Sequence, residues 1–203
     1  MKIESKKTRQ LIVNFFCLFR KLYSPVFFWI LWHTKIKRSI TKLEKEELKG
    51  LYGVMFDLGY RNFVDYMQEI IEWLPERGKG LLDFTYGYKW LNLSEKVVKA
   101  WGRDCDDISA IWYDYLKDKG WEGVYTIMCM SKEINTAHIF TVARRSIGEP
   151  FQVYDNTKGP YSYNETHVVK AVESHIKYRE TVNEERYEGT VWSFYRIFRN
   201  ILK

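Results

Sequence analysis

The spacing of apolar positions changes along the chain from helical to strand-like and back. Leu11, Phe15, Leu18, Phe19 and Leu22 recur at three- and four-residue steps, which predicts an amphipathic helix near the start. Residues 1–49 read as one basic helical segment, ending in the charged run 42–49 and stopped by Gly50 and Gly53. A second helix is expected over Asn62 to Leu74, with Phe63, Met67, Ile70, Ile71 and Leu74 on one side and Pro75 at its end. Ser94 can cap a short helix whose apolar face is Val97, Val98 and Trp101. A stronger helix begins at Asp104 and runs to about Lys117, with Ile108, Ile111, Trp112 and Tyr115 as its buried stripe.

The period then shortens. Val124–Met130, His138–Arg144 and Phe151–Tyr154 are rich in strand formers, and turn-like stretches at 131–135 and 146–150 separate them. Val168, Val169, Val172 and Ile176 return to helical spacing. Trp192, Tyr195, Phe198 and Ile201 predict a basic amphipathic helix at the end. A helix followed by a strand meander is an α+β pattern rather than a doubly wound one.

With 203 residues and 46% apolar content, the chain suits a compact core with an appendage, not a disordered or disulfide-stapled chain. The division read from the pattern is a basic segment over 1–49 and a folded domain over 50–203. Cys17, Cys105 and Cys129 are an odd, sparse set without CxxC spacing, so a reducing compartment is expected and a metal is not. Arg77-Gly-Lys-Gly80 lacks the spacing of a phosphate loop, and no cofactor is expected.

Charge sharpens the picture at one end. The whole chain carries +6, yet residues 1–40 hold nine Lys or Arg against Glu4 alone, net +8, which leaves −2 for the remainder. The same segment carries dense apolar blocks at 11–19 and 22–32, and cations beside such blocks suit an anionic lipid surface better than nucleic acid. The two blocks are split by Arg20-Lys21 and interrupted by Pro25, and each is shorter than the roughly 20 residues of a spanning helix. Glu4, Asn14 and the lack of a small-x-small site argue against a secretory signal. Two readings stand for residues 1–40: contact with an anionic membrane surface, or extra core packed on the domain. The expected location is cytoplasmic, peripheral at the inner membrane surface under the first reading.

The residues that can carry chemistry lie in the α+β part. Cys105 falls in the first turn of the stronger helix, where unpaired N–H groups and the positive dipole end favour a thiolate and can later hold an oxyanion. Asp104, Asp106 and Asp107 oppose this, so a cation from elsewhere in the fold is needed, and an imidazolium is the usual one. His138 opens the second expected strand and Asp155 follows the third. If those strands are antiparallel neighbours, the two residues are adjacent across the ladder, and a helix packed on the sheet can deliver Cys105 to the other imidazole nitrogen. Cys129, mid-strand, reads as core, while His33, His167 and His175 read as surface or packing residues.

The run from Trp90 to Ser109, with Gly-Arg-Asp-Cys-Asp-Asp at 102–107, then His138 and Tyr154-Asp-Asn156, resembles the transglutaminase-like superfamily of papain-fold cysteine enzymes. Within it the resemblance is to bacterial transglutaminase-like cysteine proteinases, over roughly residues 84–158. It implies a central helix carrying the cysteine at its N-terminus, packed on an antiparallel sheet, with helical additions at both ends. It also implies Cys105 as nucleophile, His138 as general base and acid, Asp155 as its orienter, and Trp90 or Tyr86 as a side-chain oxyanion donor. Arg103 stands where the family usually has glycine, Ile108 replaces an aromatic, and Ser109 replaces alanine.

The function expected from these residues is a cysteine hydrolase or acyl transferase acting on an amide of a protein or peptide. Resolution of the thioester by water is favoured over cross-linking by the resemblance to proteinases. The competing expectation, prompted by Arg103 and the acid-flanked cysteine, is a catalytically inactive module that binds, at a membrane surface or elsewhere.

Overall fold

A computed structural model describes residues 2–31, 55, 59–69, 104–133 and 137–195. Among these residues are four helices and one five-stranded sheet, a mixed α+β arrangement. Helix α1 spans Lys6–Leu31, α2 Phe63–Glu69 and α3 Cys105–Asp118. Strands β1 (Gly123–Met130), β2 (Ala137–Arg144), β3 (Gln152–Asp155) and β4 (Lys158–Ser162) follow. Helix α4 (Val168–Val182), a 3-10 turn (Glu184–Tyr187) and β5 (Val191–Tyr195) complete the order.

The strands lie in the order β4-β3-β2-β1-β5, every pair antiparallel. The first four form a meander, as short turns between neighbouring strands require. β5 returns to the far edge beside β1, with Met130 opposite Val191 and Thr126 opposite Tyr195. This corrects the expected terminal helix at Trp192 and Tyr195, while Phe198 and Ile201 lie outside the described residues. Val-Trp-Ser-Phe-Tyr is rich in strand formers, and pairing with β1 overrides the helical spacing. β4 was not expected either: Gly159-Pro160 would break a central strand, but an edge strand has no ladder partner on one side to lose.

Side chains alternate across the sheet and split its core in two. On one face, Ile108, Ile111, Trp112 and Leu116 of α3 cover Val124, Met128, Ile139, Ala143 and Tyr154. Val13 and Cys17 of α1 join this layer beside Val191 and Tyr195. On the other face, Ala171, Val172 and Ile176 of α4 cover Ile127, Cys129, Phe140, Val142 and Val153. Helix α1 runs on through Pro25, where a break was expected; the proline removes one N–H donor without ending the helix. Among the described residues no helix is long and apolar enough to cross a membrane.

A buried polar clasp fixes α3 to β2. The Thr141 hydroxyl donates to the Ser109 carbonyl at 2.9 Å, and the two hydroxyl oxygens lie 2.7 Å apart, so Ser109 donates to Thr141. Both residues are almost fully buried. Ser109, where the resembled family carries alanine, thus has its hydroxyl satisfied. Thr141→Val removes both bonds and leaves the Ser109 hydroxyl buried without its acceptor, an expected loss of about 1–3 kcal/mol. An unchanged urea midpoint would contradict this.

Candidate active site

Helix α3 starts where the sequence places it. Asp104 is the N-cap, in extended conformation, and its carboxylate accepts the Asp106 N–H at 3.3 Å. Cys105 is the first helical residue, partly exposed, and packs against the α3-side core. Its thiol therefore sits at the positive end of a 14-residue helix.

The structure brings His138 and Asp155 together. Thr141 pairs with Tyr154, Val142 with Val153 and Ala143 with Gln152. Continued by one step, this register sets Phe140 opposite Asp155 and His138 two residues beyond, on the same face. The pair is thus diagonal across the ladder rather than directly opposed, a small correction to the expected placement. A diagonal neighbour is within reach of an imidazole. His138 Nε2 lies 2.6 Å from Asp155 Oδ1, and both side chains are buried. The carboxylate accepts, so Nε2 carries the hydrogen and Nδ1 keeps its lone pair for a proton.

The three expected residues are not all on one face. Cys105 opens the helix that covers the Val124–Met128–Ile139 side, whereas His138 and Asp155 face the α4 side with Phe140 and Val153. Trp112 helps to set the nearby hairpin, since its Nε1–H donates to the Asn156 carbonyl at 2.8 Å. Asn156 itself adopts a left-handed φ of 51°, which Asn tolerates better than most residues.

Asp155 has more partners than the sequence suggested. Its Oδ2 accepts from His175 Nε2 at 2.8 Å and from the Arg179 guanidinium. His175 Nδ1 lies 2.8 Å from the Tyr163 hydroxyl, and Arg179 also donates to the Tyr187 hydroxyl. Burial alone would raise the Asp155 carboxyl, but His138, His175 and Arg179 overcome it and hold the group well below the usual carboxylate range. His175, read as a surface or packing residue, is 1% exposed, which fits packing and not the surface, and it is also bonded to the carboxylate. The available signal was positional. His175 and Arg179 are i and i+4 on the helix face that also carries Ala171, Val172 and Ile176, so two polar groups had to be buried and paired.

Burial pushes His175 below the ordinary histidine value, with Arg179 and His138 adding to the shift and Asp155 opposing it. Its neutral form fits the contacts, with Tyr163 O–H donating to Nδ1 and Nε2–H donating to Asp155. Because the folded value is lowered, the stability His175 contributes is fully present above its unfolded value of about 6.5. It is lost as pH falls from there through the folded value. Thermal melts between pH 8 and 5 should therefore fall more steeply for the native chain than for His175→Gln; parallel profiles would contradict the neutral assignment.

The other thiol near this cluster is disabled. Cys129 is directly opposite His138 in the ladder and donates to its carbonyl at 3.4 Å. Burial pushes its thiol up to about 12, so it stays protonated at neutral pH. Trp90, Tyr86, Arg103, His33 and the short helix expected after Ser94 lie outside the described residues. His167 is exposed and precedes α4. Among the described residues no three His, Cys, Asp or Glu side chains are grouped as a metal site. No known family, curated protein or solved structure matches the chain significantly.

Proposed function

We propose that the chain is a cysteine hydrolase or acyl transferase of transglutaminase-like, papain-like type, acting on an amide through Cys105, His138 and Asp155. The observation that carries the reading is the buried 2.6 Å contact between His138 Nε2 and Asp155 Oδ1, which leaves Nδ1 as the free base. The helix that begins with the cysteine supports it. The reaction requires the start of α3 to bring Cys105 round to His138; Nδ1 then takes the thiol proton, and the thiolate attacks the amide carbon. Backbone N–H groups at the start of α3 hold the oxyanion. His138 returns the proton to the departing amine, leaving a thioester on Cys105. Water, deprotonated by His138, then releases the acid; an amine in its place gives transamidation. Mass spectrometry after exposure to a peptidyl aldehyde tests the reading, with an adduct on Cys105 and none on Cys129 expected.

The opposed placement of Cys105 and His138 about the sheet favours a second reading, an inactive module that works by binding. Aldehyde adducts on neither thiol would support it over the enzyme.

A membrane contact belongs to either reading. Leu11, Phe15, Leu18 and Leu22 of α1 are each more than half exposed and fall in one row, while Val13 and Cys17 face the core. With the +8 charge of residues 1–40, this row fits an anionic lipid surface. The full chain should float with phosphatidylserine vesicles and not with phosphatidylcholine vesicles. Phe15→Ser with Leu18→Ser should abolish flotation, and equal flotation of native and substituted chains would end the idea.

A further inference from the structure

We propose that His175 and Arg179, one turn apart on α4, are positioning residues that fix the Asp155 carboxylate for His138. The inference rests on the assignment of His138 as the base, and its test is independent of catalysis. Asp155 closes a four-residue strand next to a two-residue turn, a place where the backbone alone holds a side chain loosely. Three hydrogen-bond donors converge on its two oxygens: His138 on Oδ1, and His175 and Arg179 on Oδ2. The donors on Oδ2 are themselves held. Tyr163 fixes the His175 ring from behind, and Tyr187 takes the second arm of Arg179 while its ring lies 4.5 Å from the guanidinium carbon.

The two residues do different work. His175, kept uncharged, orients the carboxylate without neutralising it. Arg179 keeps the carboxylate ionised but also shares its charge, so the imidazolium of His138 gains less from Asp155 than it would from a lone carboxylate. The titratable groups around the pair are Cys129 from β1, Tyr161 from β4, Tyr163, Tyr187 and the α4 residues themselves. The cysteine and tyrosines remain protonated near neutral pH, because burial raises each of them. Arg179 is thus the group whose removal changes the charge felt at His138.

The test is NMR titration of the His138 ring in the full chain carrying Cys105→Ala, which needs no substrate. Arg179→Gln should raise the His138 proton affinity about tenfold, and Arg179→Lys, which keeps the charge, should restore it to within about twofold. A folded Arg179→Gln chain with an unmoved His138 titration would overturn the proposal, because an arginine that does not act on the shared carboxylate changes melting but not this value. If Arg179→Gln does not fold, the nitrogen shifts of the unsubstituted rings decide. His175 should be neutral with its hydrogen on Nε2 at pH 7.5; a charged ring or an Nδ1–H tautomer there would overturn it. A positive titration with an inert Cys105 would leave the positioning role standing and remove only the enzymatic reading.

Discussion

Cys105→Ala is expected to eliminate the proposed amide turnover, at least a 10³-fold loss, and to leave the fold nearly unchanged. The residue is partly exposed and opens its helix, so truncating a small side chain costs on the order of 1 kcal/mol or less, a few degrees in Tm. The cap survives, because the carboxylate of Asp104 and not the thiol accepts the Asp106 N–H. The only chemistry lost is that of the sulfur. Cys129 cannot substitute for it, being buried and pushed up to about 12. Residual activity in this variant would refute the nucleophile. A collapse of Tm by more than about 10 °C would instead make Cys105 structural.

Asp155→Asn should have the largest effect on stability, about 3–5 kcal/mol, or roughly 10 °C in Tm. The substitution keeps the shape but removes the anion that two imidazoles and a guanidinium share. Arg179 then stays charged in a mostly buried setting without its counter-charge, bonded to the Tyr187 hydroxyl. An amide also has one acceptor oxygen where the carboxylate used two, and its NH2 group would point a donor at another donor. Acid acts on the native chain in the same direction. Asp155 is held below its usual range, so its contribution is complete above about pH 3.9 and disappears as pH falls through the lowered folded value. Thermal melts of the two chains at pH 7 check the magnitude, and a difference under 1 kcal/mol would show that the network contributes little.

How far these elements could be read from residues alone differs from one to the next. Helix α3 was legible because a capping Asp104 precedes a stripe at Ile108, Ile111 and Trp112, and both signals are local. β1, β2 and β3 were legible as runs of strand formers, and their antiparallel order put His138 near Asp155. The register was not legible. The Ala143–Gln152 pair begins the ladder, which shifts the two residues from opposite to diagonal. β5 and the pairing of His175 with Asp155 depend on partners about 60 and 20 residues away, which no local period encodes. The separation of Cys105 and His138 to two faces follows from strand parity, and parity is known only once the sheet's covering helices are assigned.

The most direct test of the account is the rate at which iodoacetamide alkylates Cys105 near pH 7, before and after His138→Ala. The account predicts that Cys105 reacts at least tenfold faster than an ordinary exposed thiol in the native chain and falls to that ordinary rate without the imidazole. A Cys105 rate that matches an ordinary exposed thiol and does not respond to His138→Ala would contradict it.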